Sequence, residues 1–286
     1  MAGTTQRRIG SAVAWADRTA IRGQRALGSR GVRRAWLVVA SLFAAVALGV
    51  GVYQVATVLA REDRTEVTEF DARDLDRLTV DNGAGSVTVV GVADAESVRV
   101  RARIRDGLRA TGHEVERRGA ALEVRATCPL FGTQWCAVDY TIEVPADLPI
   151  EVSALDGVGV SDVAAGVVAS SDTSSVRLAR VSGDVTVDAD QGRVEGTDLV
   201  ASRMHANADQ GRIELEFDTS PDEIVVDADQ GSILIVLPDE PGVAYATDTD
   251  ADQGSVSDAI RQDPSARRSI TADADQGDIT ITYAAR

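Results

Sequence analysis

The sequence contains no lysine, because all 29 of its basic residues are arginine. This absence excludes the Schiff-base chemistry of a lysine amine and the lysine of a P-loop or a protein kinase. Only two histidines and two cysteines occur in 286 residues, so a zinc site of the usual histidine and cysteine type is not expected. Aromatic residues make up only 4% of the chain, and a core must therefore be built from Val, Ile, Leu and Ala.

Charge is unevenly distributed along the chain. Residues 1–34 hold eight arginines and one acid (+7), residues 35–60 hold no charge, and residues 61–286 hold 21 arginines and 44 acids (−23). The net charge of −16 argues against a free-standing nucleic-acid-binding protein. A basic head, an uncharged apolar stretch and an acidic body are typical of a protein anchored in a lipid bilayer.

The uncharged stretch 35–60 is long enough to cross a membrane. As a helix its 26 residues would extend about 39 Å, against a hydrocarbon core of about 30 Å. We predict a retained, single-pass transmembrane helix, and the arginines that directly precede it place the N-terminus in the cytoplasm and the acidic body outside. A cleaved signal peptide is the alternative, since Val58-Leu59-Ala60 resembles a cleavage site, but the apolar run is longer than such peptides have.

Two short segments flank the predicted membrane helix. The basic tail 1–34 fits either a weakly amphipathic helix or a basic segment without fixed structure near anionic lipid. Residues 61–76 are charged and low in hydrophobicity, and we predict a linker there.

The acidic body alternates apolar and polar residues with a period of two, which is typical of half-buried strands. The segments 98–104 and 122–125 show this alternation most clearly. No long segment with helical periodicity follows the membrane helix. The sequence therefore predicts an all-β body, which begins with a β-sandwich-like leading region over residues 77–150.

Cys128 and Cys136 lie eight positions apart, between two strand-like segments. Outside the membrane, two cysteines at this spacing are expected to form a disulfide that closes a loop. In the chain-entropy model such a cross-link contributes about 2.5 kcal/mol. Two free thiols are the alternative, and the spacing is not that of a C-x-x-C redox pair.

A five-residue repeat dominates residues 151–286. Weaker copies precede it, over 156–160 and 172–176, and a Val or Ile lies two residues after the glycine of each strong copy. The strong copies read D-A-D-Q-G, or N-A-D-Q-G in the second, and end at Gly192, Gly211, Gly231, Gly254 and Gly277. Steps of 19, 20, 23 and 23 residues in a β-rich chain predict a β-solenoid, in which each coil stacks on the next.

Each position of the repeat has a predicted role. The glycine supplies a positive φ for the turn, and an aspartate such as Asp190 accepts a hydrogen bond from the N–H of Gly192. The glutamines form an amide ladder along the outer edge, and the alanines and aliphatic residues point inward. The predicted inward residues are Ala189, Ala208, Ala228, Ala251 and Ala274, with Val194, Ile213, Ile233, Val256 and Ile279.

Stacking aligns the aspartates of the repeat into two columns. Coils about 4.8 Å apart bring carboxylates close enough to repel by about 0.9 kcal/mol per neighbour in water. Two interpretations are open: turn hydrogen bonds offset the repulsion while some carboxylate pKa values rise, or Ca²⁺ or another hard cation bridges the coils. The first is favoured, and no other cofactor is expected. The candidate calcium ligands are Asp190, Asp209, Asp229, Asp252 and Asp275; the second column contains Asp188, Asn207, Asp227, Asp250 and Asp273.

Residues 140–145, residues 150–153 and the recurring Gly-x-Val/Ile steps that end at 277–281 resemble the bacterial putative-adhesin family. Members of this family are β-strand-repeat ectodomains, similar to the toast-rack solenoids on membrane proteins of envelope-stress systems. The resemblance covers about residues 76–286 and implies a fold, without catalytic residues to carry over. The regular D-A-D-Q-G departs from the looser spacing of the family, so a separate role for the aspartates stays open.

Three classes of function remain. We favour a non-enzymatic, membrane-anchored extracytoplasmic β-repeat module, an adhesin or envelope scaffold that contacts an envelope polymer or a membrane-protein partner. The alternative is a subunit that passes envelope-stress signals to the arginine-rich tail. Less favoured is a calcium-dependent enzyme acting on polysaccharides, with Arg193 or Arg212 as base. His113 and His205 are isolated in the sequence and predicted to lie at the surface, and no G-x-S-x-G elbow is present.

Overall fold

The computed structural model describes residues 30–59, 61–107, 109–129 and 136–285. The first 29 residues of the predicted basic tail and residues 130–135 of the predicted disulfide loop lie outside this range. The chain divides into two compact units, Met1–Ala56 and Thr57–Arg286.

The first unit contains most of helix α1 (Arg30–Leu59). Its segment Arg34–Ala56 has a mean hydropathy of 2.3 and is long and apolar enough to cross a membrane. None of this segment is buried against protein, and large apolar side chains such as Trp36 and Phe43 are more than 70% exposed. The structure thus confirms one apolar helix near the N-terminus, which fits both a transmembrane span and a signal sequence.

The second unit is built from strands, which confirms the predicted all-β body. Alternation produces them: in the strand over 97–106 every second side chain is buried, from Val98 to Ile104, while the arginines between point outward. The described strands are β1 (Glu62–Asp71), β2 (Arg77–Asn82), β3 (Ser86–Val92), β4 (Ser97–Asp106), β5 (Gly112–Arg118), β6 (Ala121–Thr127), β7 (Ala137–Pro145), β8 (Ile150–Ala154), β9 (Gly157–Ser161), β10 (Val167–Ser171), β11 (Val176–Ala179), β12 (Ser182–Gln191), β13 (Val194–Gln210), β14 (Ile213–Phe217), β15 (Glu223–Gln230), β16 (Ile233–Leu237), β17 (Tyr245–Gln253), β18 (Val256–Asp258), β19 (Arg268–Gln276) and β20 (Ile279–Tyr283).

The strands form two ladders that face each other across one continuous apolar core. Ladder A runs in the order β1-β4-β7-β3-β9-β11-β13-β14-β16-β20-β18. Ladder B runs in the order β5-β6-β2-β8-β10-β12-β13-β15-β19-β17. Pairing is parallel except for β1–β4, β4–β7 and β5–β6, and the long strand β13 lies in both ladders.

From β8 onward, each coil places one strand in ladder B and the next in ladder A. The weaker repeats take part, since Val158 and Val176 align in register with Val194. The predicted leading region is continuous with these coils, because β2 pairs with β8 and β3 with β9 in parallel. Backbone hydrogen bonding therefore runs unbroken from the leading region into the repeats.

Most of the segment predicted to be a linker is the strand β1, which pairs with β4 along its whole length. Phe70 of this strand packs against the core, and ion pairs add to its attachment: Arg64 pairs with Asp106 at 2.7 Å, and Glu69 pairs with Arg99 at 3.0 Å. Low hydrophobicity was a poor guide because an edge strand is held by its backbone and tolerates charges that discourage further pairing.

The last two coils do not stack in sequence order. β15 and β16 pair with β19 and β20, while β17 and β18 pair with the far side of β19 and β20. The inward positions Thr247 and Thr249 of β17 align with Ile270 and Ala272 of β19. The more apolar coil is thereby covered on both flanks, and the more polar coil forms the open end of the stack, as expected of a capping repeat.

A disulfide joins Cys128 to Cys136, as predicted, with a Cα–Cα distance of 5.9 Å. It links the end of β6 in ladder B to the residue before β7 in ladder A. The Thr111 hydroxyl lies 3.3 Å from the Cys136 sulfur. The cross-link therefore ties the two ladders together at the leading end of the body.

Candidate interaction surface

The D-A-D-Q-G copies lie at the corner where each coil leaves ladder B. Their alanines align in register and point inward as predicted: four are fully buried, and Ala251 in the terminal coil is partly exposed. Four of the five predicted aliphatic residues are also buried. The prediction was wrong for Val256, which is 43% exposed because β18 is the last strand of ladder A.

The glycines bring neighbouring coils close together, and of the five only Gly211 and Gly277 have the predicted positive φ. The Gly192 N–H donates to the Gln210 carbonyl at 2.9 Å, and the Gly211 N–H donates to the Gln230 carbonyl at 2.8 Å. These bonds join neighbouring coils, so the predicted bond from Gly192 to Asp190 is not formed. A Cβ atom placed on Gly211 would overlap the carbonyl oxygen of Gly192. Close approach of the coils therefore requires glycine at this corner.

The glutamines of the repeat stand in register at the exposed corner, one in each coil. Among the described residues, their side chains make no hydrogen bonds with one another, which differs from the predicted amide ladder. Their backbone carbonyls instead accept the glycine N–H groups of adjacent coils. The corner is therefore held by backbone bonds, and the five amides are presented to solvent.

The second aspartate column lies on the outer face of ladder B. Because the last two coils are exchanged in the stack, Asp273 lies before Asp250. The order of the column in space is Asp188, Asn207, Asp227, Asp273 and Asp250. Burial and then neighbouring carboxylates raise the pKa values of Asp188, Asp227 and Asp273 above the usual range of aspartate. Asn207 donates to Asp188 at 3.5 Å, whereas no arginine in the described chain forms an ion pair with these carboxylates.

The five candidate calcium ligands are distributed one per coil along the same corner. In the part of the chain that the structure describes, no three carboxylate, imidazole or thiol groups converge to hold a metal ion. The calcium interpretation stays a prediction, and any cation would have to bridge carboxylates from separate coils.

The residue pairs considered for an enzyme do not come together. Arg193 pairs with Glu195 at 2.8 Å, and Arg212 pairs with Glu214 at 3.0 Å. Each arginine is thus held by a glutamate of its own strand. Among the described residues, neither forms an ion pair with an aspartate of the repeat, so the geometry offers no carboxylate-activated base there.

His113 is not a surface residue, contrary to the prediction, although His205 is exposed. The His113 side chain is only 10% exposed and its Nδ1 lies 2.7 Å from the Tyr140 hydroxyl, which donates to the Arg125 carbonyl at 3.1 Å. The Tyr140 hydroxyl therefore lies between Nδ1 of His113 and the Arg125 carbonyl, and Nε2 of His113 faces Glu66 at 3.7 Å. Burial lowers the pKa of His113; the negative charge of Glu66 opposes this effect and Arg64 adds to it.

This cluster was missed because its members come from four separate strands. A second missed feature was visible in the sequence: arginines alternate at positions 99, 101, 103 and 105 of β4 and point away from the core. Alternation predicts the strand, but which of its outer arginines lack a carboxylate partner depends on the strands that pair with it.

No family model matches the sequence, and no curated protein matches it. Among solved structures, the chain is similar to a putative cell adhesion protein from Clostridium sporogenes at 10% identity and a TM-score of 0.36, covering 78% of this chain and 100% of the other. A putative adhesin from Bacteroides fragilis matches at 12% identity and 0.36, covering 77% and 97%. One from Parabacteroides merdae matches at 8% identity and 0.39, covering 78% and 97%. At these TM-scores the likeness does not establish a shared fold.

Proposed function

We propose that this chain is a non-enzymatic, membrane-anchored interaction module, an adhesin or envelope scaffold whose β-repeat body lies outside the cytoplasmic membrane. The observation that carries the proposal is the order of three parts: a tail of charge +7, one apolar helix, and a β body of charge −23. Arginines before the helix favour a cytoplasmic N-terminus by the positive-inside rule.

Two features of the body support an extracytoplasmic location. The disulfide between Cys128 and Cys136 is typical of an oxidising compartment. The exposed columns of aspartate contribute to the large negative net charge of the body. Such a charge keeps a repeat protein soluble and limits association between the edges of its sheets. Both features suit a body that projects into the cell envelope.

The form of the body supports binding rather than catalysis. Stacked coils repeat the same exposed groups at a regular interval, so the surface is extended and uniform. Catalytic sites need convergent groups with a nucleophile or base held by a partner, and the arginines considered for that role are paired within their own strands. The partner we propose is an envelope polymer or another membrane protein.

The absence of lysine gives a sharp test. A zero-length carbodiimide joins carboxylates to amines, and in this chain the only backbone or side-chain amine is the N-terminus. Treatment of intact cells that express the full chain should therefore link the body's carboxylates to amines of a partner. The matched control is a chain that ends after residue 60, which keeps the tail and the helix.

The expected result is a cross-linked species of higher mass for the full chain that the control does not form. Mass spectrometry of the linked aspartates and glutamates would identify the partner as protein or as amine-bearing polymer. Equal cross-linking of the two chains would refute binding of an amine-bearing partner by the body.

A further inference from the structure

The outer face of β4 carries a row of four arginines at alternate positions. Arg99, Arg101, Arg103 and Arg105 lie between buried residues and are separated from one another by about 6.8 Å along the strand. β1 flanks the row on one side and β7 on the other, both antiparallel. The row is therefore a defined stripe at the leading end of ladder A.

The two ends of this stripe are neutralised by carboxylates. Arg99 pairs with Glu69 at 3.0 Å and with Glu143 at 2.9 Å, one on each flanking strand. Arg105 pairs with Asp139 at 2.8 Å. The Ser86 hydroxyl also donates to Asp139 at 2.8 Å, so that this carboxylate is already engaged.

The two central arginines have no such partners. Arg101 lies opposite Val67 and Thr141, and Arg103 lies opposite Thr65 and Asp139. Both guanidinium groups are exposed and, among the described residues, form no ion pair and no hydrogen bond.

The lack of ion pairs at the centre is notable because acids outnumber arginines by 44 to 21 in residues 61–286. A carboxylate directly across an antiparallel pair can stabilise an arginine. Arg101 has no carboxylate across from it, and Asp139, which lies across from Arg103, is engaged by Arg105 and Ser86 instead. Val67 is also 56% exposed. The centre of the stripe therefore presents two threonine hydroxyls and the Val67 side chain beside two guanidinium groups that form no ion pair.

The stripe is separated from the negative columns of the body. Asp188, Asp227 and Asp273 point outward from ladder B, whereas the stripe points outward from ladder A. The two ladders face each other through the core, so the columns and the stripe lie on opposite sides. Charges more than about 8 Å apart are largely screened at physiological salt, so the aspartate columns repel an anion bound at the stripe only weakly.

We propose that the face formed by Arg101, Arg103, Thr65, Val67 and Thr141 binds an acidic polysaccharide. Guanidinium groups bind carboxylates with two parallel hydrogen bonds, and two of them at this spacing fit carboxylates carried on a repeating polymer. Sugar rings present both hydroxyls and apolar C–H faces, which match the threonines and Val67. The inference rests on the proposed function and specifies the chemical class of its polymer partner.

The test is binding of polygalacturonate to the full-length protein in neutral detergent micelles, with neutral dextran as the polymer control. The test variant is Arg101→Glu with Arg103→Glu. The matched control is Arg109→Glu with Arg267→Glu, which makes the same charge change at two exposed arginines elsewhere. Because none of the four has a partner among the described residues, both variants should keep the wild-type unfolding midpoint.

We expect the test variant to bind at least tenfold more weakly and the control variant to bind within twofold of wild type. Binding should also weaken with added salt, and dextran should not bind. Equal loss in both variants would show a response to net charge alone and overturn the proposal.

Absence of polygalacturonate binding by wild type would also overturn it, as would binding of polyphosphate in preference to polygalacturonate. These outcomes are distinct from failure of the proposed function. A body that cross-links a partner on cells but ignores polygalacturonate would keep its binding role with a different ligand.

Discussion

The aspartate columns should limit the stability of the body, and Asp273→Asn tests this most sharply. In the register of ladder B, Asp273 lies between Asp227 and Asp250, so it has a carboxylate neighbour on both sides. The pKa of Asp273 is raised by burial and then by the charges of Asp250, Asp275 and Asp252, and Asp273 in turn raises the pKa of Asp227. Removing its charge should therefore stabilise the folded protein at neutral pH.

The magnitude follows from the ladder spacing. Two neighbours at about 4.8 Å repel by about 1.7 kcal/mol in water, and screening at 0.15 M salt reduces this to about 1 kcal/mol. For a body of this size the midpoint of thermal unfolding should rise by about 2–4 °C. At 10 mM salt the gain should be larger, because the screening length grows to about 30 Å.

The assay is thermal unfolding of the full-length protein in detergent, followed by circular dichroism with EDTA and with millimolar Ca²⁺. Asp147→Asn is the matched control, since Asp147 is exposed, lies between β7 and β8, and is outside both columns. A stabilised Asp273→Asn variant and a wild type insensitive to Ca²⁺ would support repulsion. A wild-type midpoint that rises with Ca²⁺, together with a destabilised variant, would refute the reasoning and establish a bridging cation.

Three further predictions follow from other contacts. Replacing Cys128 and Cys136 with serine should lower the free energy of unfolding by about 2.5 kcal/mol in the chain-entropy model, measured by urea unfolding without reductant. An unchanged free energy of unfolding would contradict a stabilising role of the disulfide. Gly211→Ala should destabilise by about 3 kcal/mol or more, because its Cβ meets the Gly192 carbonyl of the preceding coil; a loss below 1 kcal/mol in the same assay would contradict the packing. Because burial lowers the pKa of His113 in the folded protein, the neutral imidazole favours folding above pH 6.5. This contribution to the free energy of unfolding is lost as the pH falls through the folded-state pKa. The unfolding midpoint should therefore drop between pH 7.5 and 5, and His113→Gln should flatten that drop; an equal drop in the variant would assign it to other groups.

Local patterns were sufficient to predict most of the fold. Alternation identified the strands, and the spacing of the glycines placed the corners, because both depend on neighbouring residues along the chain. The role of the glycines was only partly predicted: Gly211 and Gly277 have a positive φ, but the atom that crowds Gly211 belongs to a coil 19 residues earlier. A repeat shows which residues are equivalent but not which coils touch.

The features that sequence reasoning missed all depend on pairing between distant strands. The last two coils exchange places because the more polar coil tolerates the open end better. Its inward residues Thr247 and Thr249 align with the more apolar Ile270 and Ala272 of the other coil. The partners of His113 come from β1, β6 and β7, and no local signal connects them. The free state of Arg101 became visible only when its cross-strand neighbours were known.

The central claim is that the β body lies outside the membrane, and protease accessibility on intact cells tests it most directly. The full chain carries one tag at each terminus, and a protease added outside should remove the C-terminal tag and leave the N-terminal tag protected. Arg33→Glu with Arg34→Glu should weaken this orientation, whereas Arg7→Glu with Arg8→Glu, the same charge change farther from the helix, should affect it less. A protected C-terminal tag in intact cells, cleaved only after lysis, would contradict the account.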